Sequence, residues 1–412
     1  MKVACIGNMN NMLFSLTRYL REHGIDAHLF LPANELNGMD HFLPENDHFD
    51  ESYKSYTHHL DWGSGGNEVY KNATIQHIRN DLKEYHFFIV CGVSIGYLHK
   101  AGLQADIFFP HGKDITHSSK LVDQFSILNR IRNPYGYEFY KNVKLGIKAS
   151  LLINLEYSDP FWKEPLVYLN ILEKANYIGC PMIFDGIYGK SSIAKWGPLL
   201  KEFDSYIAMR QQNDLLVVNQ AAQRWAAPVD KNGMLSKGSD SVIRGFSLFL
   251  KSKPDSYRAS LVLFEYGNDV EASKKLIDEL GIGKNVVWHP LAPRKAIMTL
   301  LSMADFGCGE FNLGCIGGNT TWESLASGAC LLHYLNAEFT KFDGFMDSSY
   351  PFVNVKEPSE IMSVLLDFVS NPDKYKEIGA AGTRWYKKYF AGKSVREHIA
   401  LIERKAQSQL LS

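Results

Sequence analysis

The sequence predicts two α/β domains, each built around a doubly wound parallel sheet and facing the other across a cleft. With 412 residues the chain is too long for one ordinary core, and it suits two domains of about 200 residues each. Near its start, residues 3–6 and 27–31 have apolar strand patterns that flank an amphipathic helix over residues 13–23. This strand, helix, strand order requires parallel pairing with a right-handed crossover, and the pattern restarts at Leu215.

Further apolar runs extend both predicted sheets. In the first half, strands are expected at residues 87–91, 107–109 and 151–154, with weaker strand patterns at 175–178 and 182–184. In the second half, the expected strands are 215–219, 260–265, 286–288, 304–307 and 330–334, and the expected helices include 239–251, 270–280 and 294–303. The sequence therefore predicts a first domain over residues 1–200, a second domain over 201–384 and a final helix over 385–412 that crosses back to the first domain.

Composition excludes several classes of protein. The 44 Lys and Arg residues balance 45 Asp and Glu residues, which does not favour nucleic acid as a partner. No charge-free apolar run is long enough to span a bilayer, and the first residues lack a signal-peptide pattern, so we expect a soluble, cytoplasmic protein. The six cysteines are scattered without a CxxC pair, and no metal-ligand cluster or Walker loop is present, so no metal or cofactor is expected.

The most informative segment runs from Asp305 to Leu332. Gly317 and Gly318 precede a helix-forming run, and glycines there allow the backbone amides of residues 317–320, including Asn319 and Thr320, to approach an anion such as a diphosphate. Glu323 lies one turn inside that helix, where its carboxylate can accept hydrogen bonds from ribose hydroxyls. The alternative is a capping box, in which the Thr320 and Glu323 side chains bond each other's backbone amides.

Two lysines follow the first strand of the second half. Lys231 and Lys237 could neutralise a diphosphate and stabilise it as a leaving group, and Arg224 is a further candidate for the same anion. The alternative is that both lysines are solvated loop residues. In the loop after residues 286–288, His289 and Leu291 are placed where a flat base could lie.

Three residues of the first half could approach a sugar. His111 and Asp114, in the HGKD sequence that follows the strand at 107–109, are candidates for contacting a substrate hydroxyl, although Asp114 could equally cap the next helix. Asn10 lies in the first strand-to-helix turn, which has one glycine rather than the three of a dinucleotide fingerprint. Asparagines there suit a neutral polyhydroxylated group.

These motifs, in this order, resemble the GT-B glycosyltransferases, particularly the group-1 set of retaining, sugar-nucleotide-dependent enzymes. The likeness covers nearly the whole chain and is carried by KNGMLSKG (residues 231–238), GGNTTWESLASGACLL (317–332), HGKD (111–114) and the closing stretch RWYKKYFAGKSVREHIALIERK (384–405). Lysine replaces the family's usual arginine at position 231, and Cys315 stands where many relatives carry a second glutamate.

The resemblance implies two Rossmann-like domains, with the nucleotide sugar on the second. Lys231, Lys237 and residues 317–320 would hold the diphosphate of a UDP- or GDP-sugar, and Glu323 its ribose. His111 and Asp114 would approach the transferred sugar and the acceptor, a glycan or lipid-linked saccharide, with possible contact at the inner face of the membrane. The expected function is glycosyl transfer, with retention favoured; a sugar-nucleotide epimerase and a non-catalytic nucleotide-sugar-binding protein are the alternatives.

Overall fold

The computed structural model describes residues 1–33, 43–155, 160–226, 236–314, 318–338 and 350–410. Two parallel sheets form the frame of these residues. The first contains β1 (Lys2–Ile6), β2 (Asp26–Leu31), β3 (Thr57–His59), β4 (Phe87–Cys91), β5 (Ile107–Phe109), β6 (Leu152–Asn154) and β7 (Ala175–Asn176). The second contains β8 (Leu215–Asn219), β9 (Ala259–Phe264), β10 (Val286–His289), β11 (Phe306–Cys308), β12 (Cys330–His333) and β13 (Val353–Asn354).

Helices connect successive strands. Those of the first half are α1 (Met12–Glu22), α2 (Pro44–Asp47), α3 (Asn67–Asn72), α4 (Ile75–Leu82), α5 (Ile95–Lys100), α6 (Ser119–Leu121), α7 (Ile127–Arg132), α8 (Pro134–Ala149) and α9 (Pro160–Leu169). The connection between the sheets contains α10 (Ile193–Trp196) and α11 (Phe203–Gln212). The second half contains α12 (Ser239–Ser252), α13 (Val270–Leu280), α14 (Arg294–Met303), α15 (Asn319–Ser327), α16 (Pro358–Ser370), α17 (Pro372–Trp385) and α18 (Gly392–Leu410).

The strand orders are β3-β2-β1-β4-β5-β6-β7 and β10-β9-β8-β11-β12-β13, with every pair parallel. Each sheet therefore winds outward in both directions from a central pair, β1 and β4 in the first and β8 and β11 in the second. The crevice at such a switch point, beyond the carboxyl ends of the strands, is where open α/β sheets bind ligands. The predicted doubly wound fold is confirmed.

The central strands are mostly apolar because helices cover both faces of each sheet; the exceptions in β1 and β8 are their end residues Lys2 and Asn219. All residues of β4 and β8 are buried, as are four of the five in β1. Among the described residues, no helix is both long and apolar enough to cross a bilayer.

The expected strand at residues 182–184 is not formed. The backbone of Ile183 bonds to side chains instead: its amide donates to Tyr386 Oη at 3.0 Å, and its carbonyl accepts from the hydroxyls of Tyr386 at 2.8 Å and Tyr19 at 3.1 Å. Side chains satisfy the polar groups that a neighbouring strand would otherwise satisfy. This segment is part of the connection between the sheets.

The last helix lies against the first sheet. Lys405 Nζ donates to Asp106 at 2.6 Å, the His398 ring stacks on Phe109 with centroids 5.7 Å apart, and Ser394 Oγ donates to the Gly179 carbonyl at 3.0 Å. These contacts bring α18 back to the first half; the division at residues 1–200, 201–384 and 385–412 stays a prediction.

Candidate active site

The candidate site lies where the switch points of the two sheets face each other. Asn10 follows β1, Gln220 follows β8, and Glu310 follows β11, so all three lie at carboxyl ends of central strands. Asn10 and Asn11 both adopt left-handed backbone conformations, with φ of 52° and 64°. Asparagine tolerates this conformation better than most residues, which explains two of them in this tight turn.

A cavity of about 330 Å³ occupies this position. Its wall combines residues from the loops after β1, β8, β10 and β11 with the first turns of α14 and α15. The lining residues are Asn10, Met182, Gln220, Ala221, Ala222, Arg224, Lys237, Phe264, Tyr266, Leu291, Ala292, Ile297, Glu310, Gly318, Asn319, Thr320 and Glu323. The volume lies within the range of small-molecule sites.

The Glu323 side chain faces this cavity and does not cap its own helix. The residue before α15 is Gly318, and no side chain caps that end. Glu323 is 6% exposed; Gln220 Nε2 lies 3.4 Å from one of its oxygens, and Arg294 Nε lies 3.2 Å from the other. Burial raises the pKa of Glu323, and the Arg294 guanidinium opposes that shift. The structure thus rejects the capping box.

Arg294 connects the two halves of the protein behind the cavity wall, where it contacts the lining residues Asn10, Met182 and Glu323. It is 2% exposed and begins α14, and its Nη1 donates to the Met182 carbonyl at 2.9 Å and to the Asn10 carbonyl at 3.3 Å. One guanidinium therefore contacts the turn after β1, the connection between the sheets and Glu323. Its planar set of donors suits a site where several acceptors converge.

Lys237 lines the same cavity as the N-terminal end of α15. Its backbone amide donates to the Arg224 carbonyl at 2.7 Å, its carbonyl accepts from the Phe311 amide at 3.1 Å, and its ammonium group pairs with Glu310. Gly238 follows with φ of 66°, and a Cβ there would lie 3.0 Å from that of Phe311. Glycine at 238 therefore permits the close approach that positions Lys237.

Several buried polar atoms around the cleft have no hydrogen-bond partner among the residues that the structure describes: Gln220 Oε1, Arg224 Nε, Asn319 Oδ1 and His111 Nε2. An unsatisfied buried polar group costs about 1–3 kcal/mol, so such groups usually have a function. These four atoms offer a polar ligand in the cleft both donors and acceptors.

The first-half side of the cleft is a hollow of about 190 Å³. It shares Asn10 and Met182 with the main cavity and adds His111, Asn154 and Trp162. Burial lowers the pKa of His111 to about 4, so the imidazole is neutral near pH 7. This side can therefore offer neutral hydrogen-bonding groups and an aromatic surface.

Asp114 lies beneath the loop and braces it. Its carboxylate accepts from the His111 amide at 2.9 Å and from the Ile115 amide at 2.8 Å, and burial raises the pKa of this carboxyl to about 6. The side chain serves the local backbone, as the capping alternative proposed. It is not among the residues that line the hollow.

The structure brings most predicted residues to one cleft. Along the described part of the chain, these are Asn10, His111, Arg224, Lys237, Leu291, Gly318, Asn319, Thr320 and Glu323. His289 is not among the lining residues: its Nε2 lies 2.8 Å from the hydroxyl of Tyr206, and its Nδ1 lies 2.8 Å from the Pro290 carbonyl. Lys231 and Gly317, like Cys315, lie outside the described residues.

Sequence reasoning missed Arg294 and Gln220 and gave Glu310 no role. Gln220 directly follows β8, and the other loop residues were identified by the same criterion, a position just after a strand. Arg294 could also have been identified from the sequence, because a cation in the first turn of a predicted helix is unfavourable next to the positive end of the helix dipole. Such a residue needs a compensating anion, and here that anion is Glu323.

Known structures share this architecture. The chain matches HepE of Anabaena, whose crystal structure contains UDP-glucose, with 13% identity, a TM-score of 0.56 and 100% coverage of both chains. It matches a glycosyltransferase of Rickettsia africae with 13% identity, a TM-score of 0.59 and 98% coverage of both. It matches sucrose-phosphate synthase of Thermosynechococcus elongatus with 12% identity and a TM-score of 0.56, and the match covers 99% of this chain and 100% of the synthase.

The sequence matches no protein-family model and no curated protein sequence. The structural matches span nearly the whole chain, and two all-parallel sheets face each other across a cleft as the sequence predicted. The protein has the GT-B fold.

Proposed function

We propose that the protein is a glycosyltransferase that moves a hexosyl group from a nucleotide diphosphate sugar, UDP- or GDP-linked, to a hydroxyl of a glycan or lipid-linked saccharide. The orientation of Glu323 carries the proposal. A buried carboxylate that faces a cavity, one turn beyond a helix N-terminus, combines an acceptor for ribose hydroxyls with an adjoining site for phosphate.

The charges of the second half support a diphosphate beside the ribose. Arg224 and Lys237 line the same cavity as Gly318, Asn319 and Thr320 at the start of α15. Cations and helix amides would stabilise negative charge that develops on the departing diphosphate. When the donor binds, the Lys237 ammonium group would leave Glu310 and contact the phosphate instead.

The chemistry of the first half supports retention at the anomeric carbon. An inverting reaction needs a general base whose pKa is near the working pH. His111, with a pKa of about 4, is a weak base, and the oxygens of Asp114 are engaged by backbone amides. In the proposed reaction the departing phosphate accepts the proton of the acceptor hydroxyl, and His111 orients the sugar.

Binding of nucleotides to the folded protein should raise its melting temperature. We expect a rise with a nucleoside diphosphate such as UDP or GDP, loss of that rise in Glu323→Ala, and retention of it in His111→Ala. Glu403→Ala on α18 is the matched control. Failure of every nucleoside diphosphate and nucleotide sugar to stabilise the wild type would refute the donor site.

Transfer itself is tested by incubating the donor with and without candidate acceptors and analysing the sugar products. The proposal requires a new glycosidic bond that forms only with acceptor. Conversion of the donor sugar to its epimer without acceptor would identify an epimerase, and stabilisation by nucleotide sugar without any product would indicate a binding protein.

A further inference from the structure

The short helix α7 has a composition that is unusual for a surface helix. Its sequence is ILNRIR, and none of its six residues is buried. Ile127 is 78% exposed, Ile131 71% and Leu128 52%. Single exposed aliphatic residues are normal on protein surfaces, but three in one fully exposed helix mark an interaction site.

The stretch of chain that contains α7 is basic. Between residues 113 and 148 there are seven Lys and Arg residues and three Asp and Glu residues, a net charge of +4, whereas the whole chain carries −1. Arg130 and Arg132 lie on α7 itself and are exposed, and neither pairs with a carboxylate among the described residues. Tyr135, 44% exposed, follows at the start of α8 with the Lys71 ammonium 5.6 Å from its ring centre.

We propose that this surface, formed by Ile127, Leu128, Arg130, Ile131, Arg132 and Tyr135 and called here the α7 surface, docks onto an anionic lipid bilayer. The aliphatic side chains would enter the boundary between headgroups and acyl chains. The arginines would attract anionic headgroups, and the tyrosine would lie at the interface, where aromatic residues with a polar end are favoured.

A hollow beside α7 strengthens the assignment to phospholipid. It has a volume of about 370 Å³ and is lined by Leu121, Gln124, Phe125, Asn129, Arg132 and Asn133. One guanidinium and three amide side chains next to an apolar ring can hydrogen-bond a phosphate ester and contact its organic part.

Charge argues against a second copy of the chain as the occupant. A symmetric dimer through the α7 surface would place Arg130 and Arg132 of one copy against the same arginines of the other. Like charges across an interface suppress association. An anionic bilayer satisfies both the charge and the exposed aliphatic groups.

The α7 surface and the His111 side of the cleft lie on the same connection between strands. The connection from β5 to β6 begins at the His111 loop and contains α7, so both belong to the first half. A bilayer on the α7 surface would hold the first half at the membrane. The inference does not depend on the proposed reaction.

Flotation of the full-length protein with vesicles tests the docking. We expect the wild type to bind vesicles of phosphatidylcholine and phosphatidylglycerol about tenfold more tightly than vesicles of phosphatidylcholine alone. Ile127→Ser with Ile131→Ser, and separately Arg130→Gln with Arg132→Gln, should each weaken binding about tenfold. Added salt should reduce binding of the wild type more than that of the arginine variant.

The matched controls are Ile75→Ser with Leu199→Ser, at exposed apolar positions elsewhere, and Lys251→Gln with Lys284→Gln; both should bind as the wild type does. Stabilisation by UDP or GDP is measured on the same samples, so that loss of docking and loss of the donor site are distinguished. No binding of the wild type to anionic vesicles, or equal binding by the α7 variants, would overturn the proposal. A concentration-dependent dimer that the Ile127 and Ile131 changes abolish, without vesicle binding, would assign the surface to a second copy.

Discussion

The two sides of the cleft differ in charge. The second half contributes Arg224, Lys237, Glu310 and Glu323, all ionisable, whereas the first half contributes Asn10 and a neutral His111. Charged groups in a partly buried site are stable only with counter-charges, so Glu323 pairs with Arg294 and Lys237 with Glu310. On the side that would bind an ionic group, Arg224 is the exception, because its buried Nε has no hydrogen-bond partner among the described residues. The side that would bind a neutral sugar has no such need for counter-charges.

The largest effect is expected from breaking the buried pair. Arg294→Ala would leave Glu323 buried without its cation and remove the bonds to Asn10 and Met182, so the free energy of unfolding should fall by about 3–5 kcal/mol. Urea unfolding measures the change. Arg384→Ala breaks an exposed ion pair with Glu377 and should cost less than about 1 kcal/mol. Equal losses for the two variants would show that Arg294 is not a strut between the halves.

Removing the ammonium group on the donor side should chiefly affect turnover. Lys237→Ala should lower kcat about 10²–10³-fold, as is typical when a group that stabilises developing charge is lost, with a small change in stability. Steady-state kinetics with the donor identified by thermal shift measures this, and Lys284→Ala is the control on an exposed loop. An unchanged kcat would restrict Lys237 to its structural pairing with Glu310.

The smallest effect concerns stability at acid pH. The pKa of Asp114 is raised to about 6 from 3.8, so the folded state binds this proton more tightly and Asp114 adds stability as pH falls through 6 toward 3.8. The pKa values of His111 and His398 are lowered to about 4 from 6.5, so both histidines remove stability as pH falls from 6.5 to 4. The two effects oppose each other in the wild type.

Asp114→Asn removes the stability that protonation of Asp114 adds at acid pH and leaves the opposing effect of the two histidines. Its loss of unfolding free energy between pH 7 and pH 4 should exceed that of the wild type by about 2 kcal/mol. Urea unfolding over a pH series measures the difference, with the exposed Asp278→Asn as control. Parallel pH profiles for wild type and Asp114→Asn would mean that Asp114 titrates alike in the folded and unfolded states.

The frame of the fold was predictable because its elements are long and periodic. The helices at 270–280 and 294–303 match α13 and α14 at both ends, and β4 and β8 are runs of five buried residues. The edge strands β3 and β13 were not predicted. Thr57–His59 is polar, and Val353–Asn354 has two residues, so neither carries an alternating pattern, and both exist because a neighbouring strand is available.

The site was predictable as a set of loops but not as a set of contacts. Strand ends identified the loops that hold Asn10, His111, Lys237 and Glu323, since parallel strands deliver these loops to one edge of the sheet. The sequence could not distinguish a capping role for Glu323 from a ligand contact, because the local spacing satisfies both. Arg294 decides between them, and it belongs to another helix.

The packing of α18 on the first sheet also means that residues synthesised early contact residues synthesised late. Asp106 and Lys405 are separated by 299 positions, so Asp106, which is 4% exposed in the finished protein, has no counter-ion until nearly the whole chain has left the ribosome. Domains usually fold as they emerge, N-terminal first, so the first sheet would form before α18 is available to pair with Asp106. The half that folds first would then gain this buried ion pair last.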